Sequence, residues 1–343
     1  MGTLTVLLSG CSAHDAEKKL RFGWPTGITK QAEEMRVLWT WSGVAALVVG
    51  VGVWGLIFWC CIRYRKRDDY LPKQLKYNLT LEIVYSLVPF IIIAGLFYRT
   101  VVVEDDVNRL TKNPDVVVQV DAFKWNWEFQ YQSYKDASGT AVQPVYPGQT
   151  AVADPAGNGK VQQIGCDEAS SNVSYSCGAP GQQQGAGANP LYLSTVGSND
   201  EIPILVIPID KSVRIIEHSV DVIHSFWVPE FLFKRDVIPY GTTSTARDNQ
   251  FEFTPTSTGS FVGRCAELCG TYHSQMNFEV RVVSPEQFQK YLDALAKYPP
   301  GDKNFPARQS LAMQAAGLPP YATTTHPFNT DRTARSATQG QGG

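Results

Sequence analysis

Val37 to Ile62 is a run of 26 residues without a charge, and it restricts the fold more than any other stretch. Coiled as an α-helix it reaches about 39 Å, more than the ~30 Å hydrocarbon core of a bilayer. Trp39, Trp41, Trp54 and Trp59 lie toward its two ends, where amphipathic rings sit at the interface between lipid and water. The run is a membrane helix, with Cys60 and Cys61 packing at its inner end. Leu79 to Val103 is a second crossing, and Pro89 is expected to kink it. Between them Arg63, Arg65, Lys66, Arg67, Lys73 and Lys76 crowd one loop, an excess of cations that marks the cytoplasmic side. Residues 37–103 are thus read as a helical hairpin in the plasma membrane, with both termini outside.

Ahead of the hairpin, Leu8, Ser9, Gly10 and Cys11 fit a lipoprotein processing box. Residues 1–10 are then the remnant of a signal peptide, Cys11 the lipidated residue, and residues 11–36 an exterior segment. An acyl chain on Cys11 adds a second foothold in the membrane lipid. Glu82, close to the inner end of the second crossing, is a carboxylate in a membrane segment. Such a group is costly and suspect of function, although this near the end it can also reach water as a solvated cap.

After Glu104 the pattern changes to short strands. Residues 1–103 carry a net charge of +5 and the remainder −7, so the exterior part suits a basic partner and not nucleic acid. Strands are expected at Val116–Val120, Lys124–Tyr131, Ile204–Ile209, Ser212–His218, Phe226–Pro229, Ser244–Asn249, Phe251–Thr254, Gly259–Arg264 and Phe278–Val283. Many short strands separated by turn residues predict an all-β sandwich of Greek-key type over residues 104–284. In the second strand Trp125, Trp127, Phe129 and Tyr131 alternate with polar residues, which predicts one shared face. Residues 132–200, rich in Gly, Ser, Gln, Asn and Pro, read as an inserted loop with too little apolar surface for a core. Cys166 and Cys177 lie inside it and, on the oxidising side, are expected to pair as a disulfide. Ser284 and Pro285 predict a helix start, and residues 285–343 are read as that helix and a tail.

The chemistry concentrates between Cys265 and Met276. Cys265, Glu267, Cys269, His273 and Met276 put two thiols, a carboxylate, an imidazole and a thioether into twelve residues, a density of soft ligands that a packed core does not ask for. A second imidazole has to come from elsewhere, and His224 is better placed than His218. Three arrangements remain open on these residues alone. The cysteines could form a structural disulfide, the Cys2His2 set could hold a tetrahedral zinc, or two thiolates could bridge two copper ions with one imidazole on each. Only the last gives Met276 a task, as the weak axial ligand.

These residues, with His224 inside Asp221, Val222, Ile223, His224, Ser225, Phe226 and Trp227, resemble the binuclear copper A signature of subunit II of haem-copper cytochrome c oxidases. The resemblance implies a cupredoxin-like sandwich holding two copper ions. Cys265 and Cys269 bridge them, His224 and His273 bind one each, and Met276 and the main-chain carbonyl of Glu267 are the weak ligands. The Glu267 side chain is implied to share a magnesium or manganese ion with subunit I. Trp125 matches the tryptophan that accepts electrons from a c-type cytochrome, Trp127 is its strand neighbour, and Asp221 resembles a carboxylate near the docking face. The neighbourhood of Glu82 resembles a segment whose glutamate stands at the mouth of a proton uptake path.

The implied protein is the electron-accepting subunit of an aa3-type oxidase. It is joined to subunit I and other oxidase subunits and served by a cytochrome that is soluble or part of a quinol:cytochrome c reductase. Haem and oxygen reduction belong to subunit I, because this chain has no Cys-x-x-Cys-His and only one membrane hairpin. A membrane-tethered copper delivery protein is the rival reading. The intact ligand set speaks against subunit II of a quinol oxidase, and five histidines are too few for a nitrous oxide reductase.

Overall fold

The computed structural model describes residues 23–66, 75–136, 138–142, 144, 193–239 and 249–327. Cys11, Cys166 and Cys177 lie outside the described residues. The rest divides into two units, one of residues up to 108 other than 28–30, and the other of residues 28–30 and 109 onward.

The first unit carries two helices, α1 (Lys30–Arg63) and α2 (Leu79–Val107), both long and apolar enough to cross a membrane. At 34 residues α1 extends about 51 Å. The apolar surface of both helices is largely exposed, as a lipid-facing or subunit-facing surface must be. The start of α2 is capped twice. Asn78 Oδ1 accepts from the Leu81 amide at 3.2 Å, and Glu82 Oε1 accepts from the Asn78 amide at 3.1 Å, satisfying donors that a helix terminus leaves open. The helix continues through Pro89 and past Val103.

The second unit is a sandwich of two sheets. Its strands are β1 (Val116–Phe123), β2 (Asn126–Lys135), β3 (Ala141–Val142), β4 (Ser194–Val196), β5 (Ile204–Pro208), β6 (Val213–Ser219), β7 (His224–Val228), β8 (Phe233–Val237), β9 (Gln250–Phe253), β10 (Gly259–Cys265) and β11 (Asn277–Val283). One sheet runs β3-β2-β1-β6-β9 with β4 also on β2, and the other runs β5-β11-β10-β7-β8. The pairs β1/β6 and β5/β11 are parallel, and the other named strand pairs are antiparallel. Trp127, Phe129 and Tyr131 from one sheet meet Phe226, Phe278 and Val280 from the other in the buried core.

Three expectations need correction. Trp125 does not lie in the second strand: Phe123 pairs with Asn126, which makes Lys124 and Trp125 the two-residue turn of a hairpin, so only Trp127, Phe129 and Tyr131 keep the inward alternation. The insert is shorter than 132–200, because β2 runs on to Lys135 and the chain rejoins the sheet at β3 and β4. The C-terminal part is more than one helix and a tail. Helix α3 (Pro285–Leu295) starts with the expected Ser284 cap, reciprocated by Gln287, but α4 (Arg308–Ala315) follows it.

This C-terminal segment ties both sheets together. Gln309 accepts from the Ile204 amide at 2.8 Å and donates to Glu201 and the Ile202 carbonyl. Arg308 donates to Ser194 at 2.8 Å. Beyond α4, the Thr323 and Thr324 amides donate to Glu279 Oε2 at 2.6 and 2.9 Å, and Arg281 donates to the Pro319 and Tyr321 carbonyls. Glu279 and Arg281, both buried on β11, also pair with each other. A buried ion pair is tolerable when its remaining donors and acceptors are satisfied, and the strap satisfies most of them.

Across β1 and β2, Glu128 stands opposite Asp121. Ser194 donates to Glu128 Oε1 at 2.8 Å, while Asp121 accepts from Gln119 and Gln130 and contacts His218 Nδ1 at 3.0 Å. Burial, and then the neighbouring Asp121, push the Glu128 carboxyl up from 4.5 to about 7. The raised value favours the fold below about 4.5, and this advantage disappears as the pH rises through about 7. Glu128→Gln should therefore be more stable than the parent at pH 8 by ~1–2 kcal/mol relative to any difference at pH 4.5. Denaturant unfolding at both pH values checks this, and parallel pH curves would show that the pKa of this carboxyl is not raised by folding.

Candidate metal centre

The predicted ligands come together because strand register brings their attachment points to one end of one sheet. Cys265 ends β10, His224 begins β7, and β11 begins directly after Met276. Phe226 pairs with Cys265 across β7 and β10. The Cys265 amide donates to the Met276 carbonyl at 3.0 Å and the Ala266 amide to the Ser225 carbonyl at 3.0 Å, so the ligand loop is closed at its base and tied to the strand that bears His224. Within it, amides of His273, Gln275 and Met276 donate to the carbonyls of Gly270, Tyr272 and His273, a tight turn that sends His273 and Met276 back toward the thiols. Gly270 has φ +125°, a conformation open to glycine and little else. A Cβ there would also lie 3.2 Å from Trp125 Nε1.

The donor atoms form one cluster. Cys265 Sγ and Cys269 Sγ are 3.7 Å apart, Cys265 Sγ is 3.8 Å from His224 Nδ1 and 3.2 Å from the Glu267 carbonyl, and Cys269 Sγ is 3.5 Å from His273 Nδ1 and 3.8 Å from Met276 Sδ. The ligand atoms of His224, Cys265 and Cys269 all lie within 4.8 Å of one another. A disulfide needs about 2.05 Å between sulfurs, so these thiols are free. Each thiol has its own imidazole and its own weaker donor, a set of atoms that suits soft metal ions.

Electrostatics points the same way. Burial, and then Cys265 beside it, push the Cys269 thiol up to about 12. A metal ion binding at Cys269 would have to displace its thiol proton. Burial holds the His224 imidazole below its ordinary value, which keeps it neutral and able to ligate. Its Nε2 lies 2.8 Å from Asp221 Oδ1, and a carboxylate there fixes the proton on Nε2 and turns Nδ1 to the thiols. Burial opposes ionisation of Asp221, but hydrogen bonds from His224 and from the Lys124 and Val222 amides outweigh it and hold the carboxyl below its ordinary value.

Trp125 is half-buried beside the loop, its ring 4.9 Å from that of Tyr272 in an edge-to-face contact. Trp127 is fully buried and donates from Nε1 to the Met276 carbonyl at 3.4 Å. Glu267 is exposed, its carbonyl facing Cys265. His218 is not brought to the cluster, as its Nδ1 is engaged by Asp121 on the other sheet. Glu82 belongs to the helical unit. Sequence reasoning missed the part Asp221 plays in holding His224; the signal was a carboxylate three residues before the ligand, at a strand entrance.

The family described as "Cytochrome C oxidase subunit II, periplasmic domain" matches residues 197–283. A probable cytochrome c oxidase subunit 2 of Nocardia farcinica is 44% identical over 98% of this chain and 88% of its own. Cytochrome c oxidase subunit 2 of Mycobacterium tuberculosis is 43% identical over 97% and 88%. That of Corynebacterium glutamicum is 39% identical over 92% and 86%. Among solved structures, the periplasmic domain of subunit II of cytochrome oxidase of Bradyrhizobium japonicum aligns with 53% of this chain and 93% of its own, at 23% identity and a TM-score of 0.29.

Replacing Asp221 by Ala should weaken copper binding by about 10- to 100-fold, the usual cost of losing the partner of a ligating imidazole. Titration against a competing chelator measures it, and an unchanged affinity would show that His224 needs no such anchor.

Proposed function

The chain belongs to the cytochrome c oxidase subunit II family, and from that premise we propose that it accepts single electrons from a c-type cytochrome at a two-copper centre and passes them to haem in subunit I. As a member of the family it is a subunit of an oxidoreductase, anchored to the membrane by α1 and α2. The observation that carries the proposal is the doubled donor set, with two free thiols 3.7 Å apart and a different imidazole nearest each.

Two copper ions held by Cys265, Cys269, His224, His273, Met276 and the Glu267 carbonyl would supply reversible one-electron chemistry with little rearrangement. The protein's part is to keep that geometry constant. Cys265, Cys269 and Met276 are 7%, 4% and 0% exposed, so water is kept from the sulfurs. That burial argues against the delivery protein, which has to release its metal.

Trp125 is the group an incoming donor meets. It is half-buried, packs on Gly270 next to Cys269, and contacts Tyr272. With Leu268 at 78%, Ile223 at 46% and Tyr272 at 39% exposure, it belongs to an apolar rim on an acidic part of the chain. Such a surface suits a lysine-bearing cytochrome whose association weakens with salt. The exposed Glu267 side chain is free to share a magnesium or manganese ion with subunit I.

Connectivity supports the orientation read from the loop charges. The Lys30 amide donates to the Thr254 carbonyl and the Ile28 amide to the Glu230 carbonyl, so the residues leading into α1 are held by the sandwich that also follows α2. Both belong on one side of the bilayer, and Arg63, Arg65 and Lys66 at the other end of α1 mark that end as cytoplasmic. Glu82 lies near that end and is the proposed mouth of a proton path. Its carboxylate also caps α2, a role that Glu82→Gln keeps while removing the titrating group. Turnover of the assembled oxidase should then fall more than the rate of copper reduction, and equal losses would favour the cap alone.

The test of the whole reading is to load the chain with copper and measure stoichiometry together with electron paramagnetic resonance. Two coppers per chain and an unpaired electron shared between them are expected, and a single zinc or a mononuclear copper spectrum would reject it. Trp125→Phe should slow electron acceptance from the cytochrome by at least about tenfold, equivalent to ~1.4 kcal/mol of barrier, and leave the copper spectrum intact. An unchanged rate would remove Trp125 from the path.

A further inference from the structure

Trp127 follows Trp125 by two residues in the sequence, yet the two residues have different surroundings. Trp127 has no exposed surface, so no docked protein can touch it. Its ring is held on several sides, with centroids 5.1 Å from Phe278, 6.1 Å from Phe226 and 6.2 Å from the His224 imidazole. Its Nε1 donates to the Met276 carbonyl at 3.4 Å, and that same oxygen takes the Cys265 amide at 3.0 Å. One carbonyl therefore receives two donors at the point where the ligand loop rejoins β11.

We propose that Trp127 is a positioning residue for the axial thioether of Met276 and for the His224 imidazole, and is not a station on the path by which electrons arrive. This rests on the copper reading above. A methionine side chain has three rotatable bonds and no intrinsic preference for one sulfur position. The distance from Met276 Sδ to the metal is then set by where its backbone is pinned and by the walls around the side chain. Met276 is fully buried, and its carbonyl is pinned from both sides, by the loop's own first residue and by an indole from the opposite sheet. At 3.4 Å the indole bond is long and adds little energy. Its contribution is directional, because the clamped ring cannot follow the loop if the loop shifts. A weak axial ligand tunes the potential of a copper–thiolate site, so a small displacement of Met276 is read out electrically before it is read out as loss of metal.

The experiment uses the full-length chain in detergent, loaded with copper. Four forms are compared: wild type, Trp127→Phe, Trp127 replaced by benzothienylalanine, and Phe129→Leu. Benzothienylalanine keeps the shape of the indole and lacks its N–H, which guards against a variant that fails to fold. Phe129 lies on the same strand and the same inward side, packs on Phe278 at 5.6 Å, and makes no bond to the loop, so it reports bare loss of core packing. Trp127→Phe and the isostere should retain both coppers while shifting the electron-exchange constant against a mediator by about three- to tenfold, or ~30–60 mV for one electron. The copper hyperfine pattern should change with it. Phe129→Leu should lower stability and leave potential and spectrum at their wild-type values. An isostere with wild-type potential and spectrum overturns the proposal, and so does an equal shift in Phe129→Leu. A wild-type chain without a shared two-copper signal would sink the underlying reading before any variant is compared.

Discussion

The hydrogen bond from the Cys265 amide to the Met276 carbonyl is the constraint on which the site depends. It is the last rung between β10 and β11, two strands already paired from Gly259/Val282 to Arg264/Asn277. A loop of free ends could sample many shapes; a loop whose ends are adjacent rungs of a ladder cannot. Loop closure has an entropic cost, and here the sheet meets it through the packing of Phe226, Phe278 and Trp127 beneath the loop. Turns at Gly270 and His273 then have only to direct side chains inward. The ligands are thus positioned by the pairing of β10 with β11 and with β7.

That scaffold also imposes an electrostatic demand. Removing two thiols and an imidazole from water favours their uncharged forms, as the high value for Cys269 and the low one for His224 express. The neutral imidazole is ready to bind a metal and the protonated thiol is not. A metal ion binding here would have to displace thiol protons, so its affinity would rise with pH until the ligands are free. The same burial, once metal is bound, excludes competing water and keeps the thiolates from solvent. Stability of the loaded site and reluctance of the empty one to ionise have a single cause.

The two long apolar helices and the clustering of His224, Cys265, Cys269, His273 and Met276 were legible in the sequence because each rests on a local pattern: an uncharged run longer than a bilayer, and soft donor side chains at loop spacing. Sheet-level facts were not. Alternation placed Trp125 on the same face as Trp127, because period two says nothing about where a strand begins, and the hairpin turn at Lys124 and Trp125 is decided by the pairing of Phe123 with Asn126. β8 was missed since its residues Phe233, Lys234, Arg235, Asp236 and Val237 carry charges on an edge, where composition resembles a loop. The strap from Pro319 to Thr324 has the composition of a tail and is ordered by long-range bonds to Glu279 and Arg281, which no local signal announces.

Asp221 shows how the receiving surface and the ligand shell are joined. One of its oxygens engages His224 Nε2 at 2.8 Å, and the other accepts the amide of Lys124, the residue before Trp125, at 2.8 Å. The turn that carries the half-buried Trp125 and the His224 imidazole of the donor cluster are therefore anchored by the same carboxylate. A carboxylate at an acidic docking face attracts a basic partner from a distance, but a partner that paired with Asp221 directly would compete with His224 and Lys124 for it. The steering charge and the positioning bond make opposite demands on one side chain. With three donors already holding Asp221 below its ordinary pKa against the effect of burial, its first role is to tie His224 to the turn of Lys124 and Trp125.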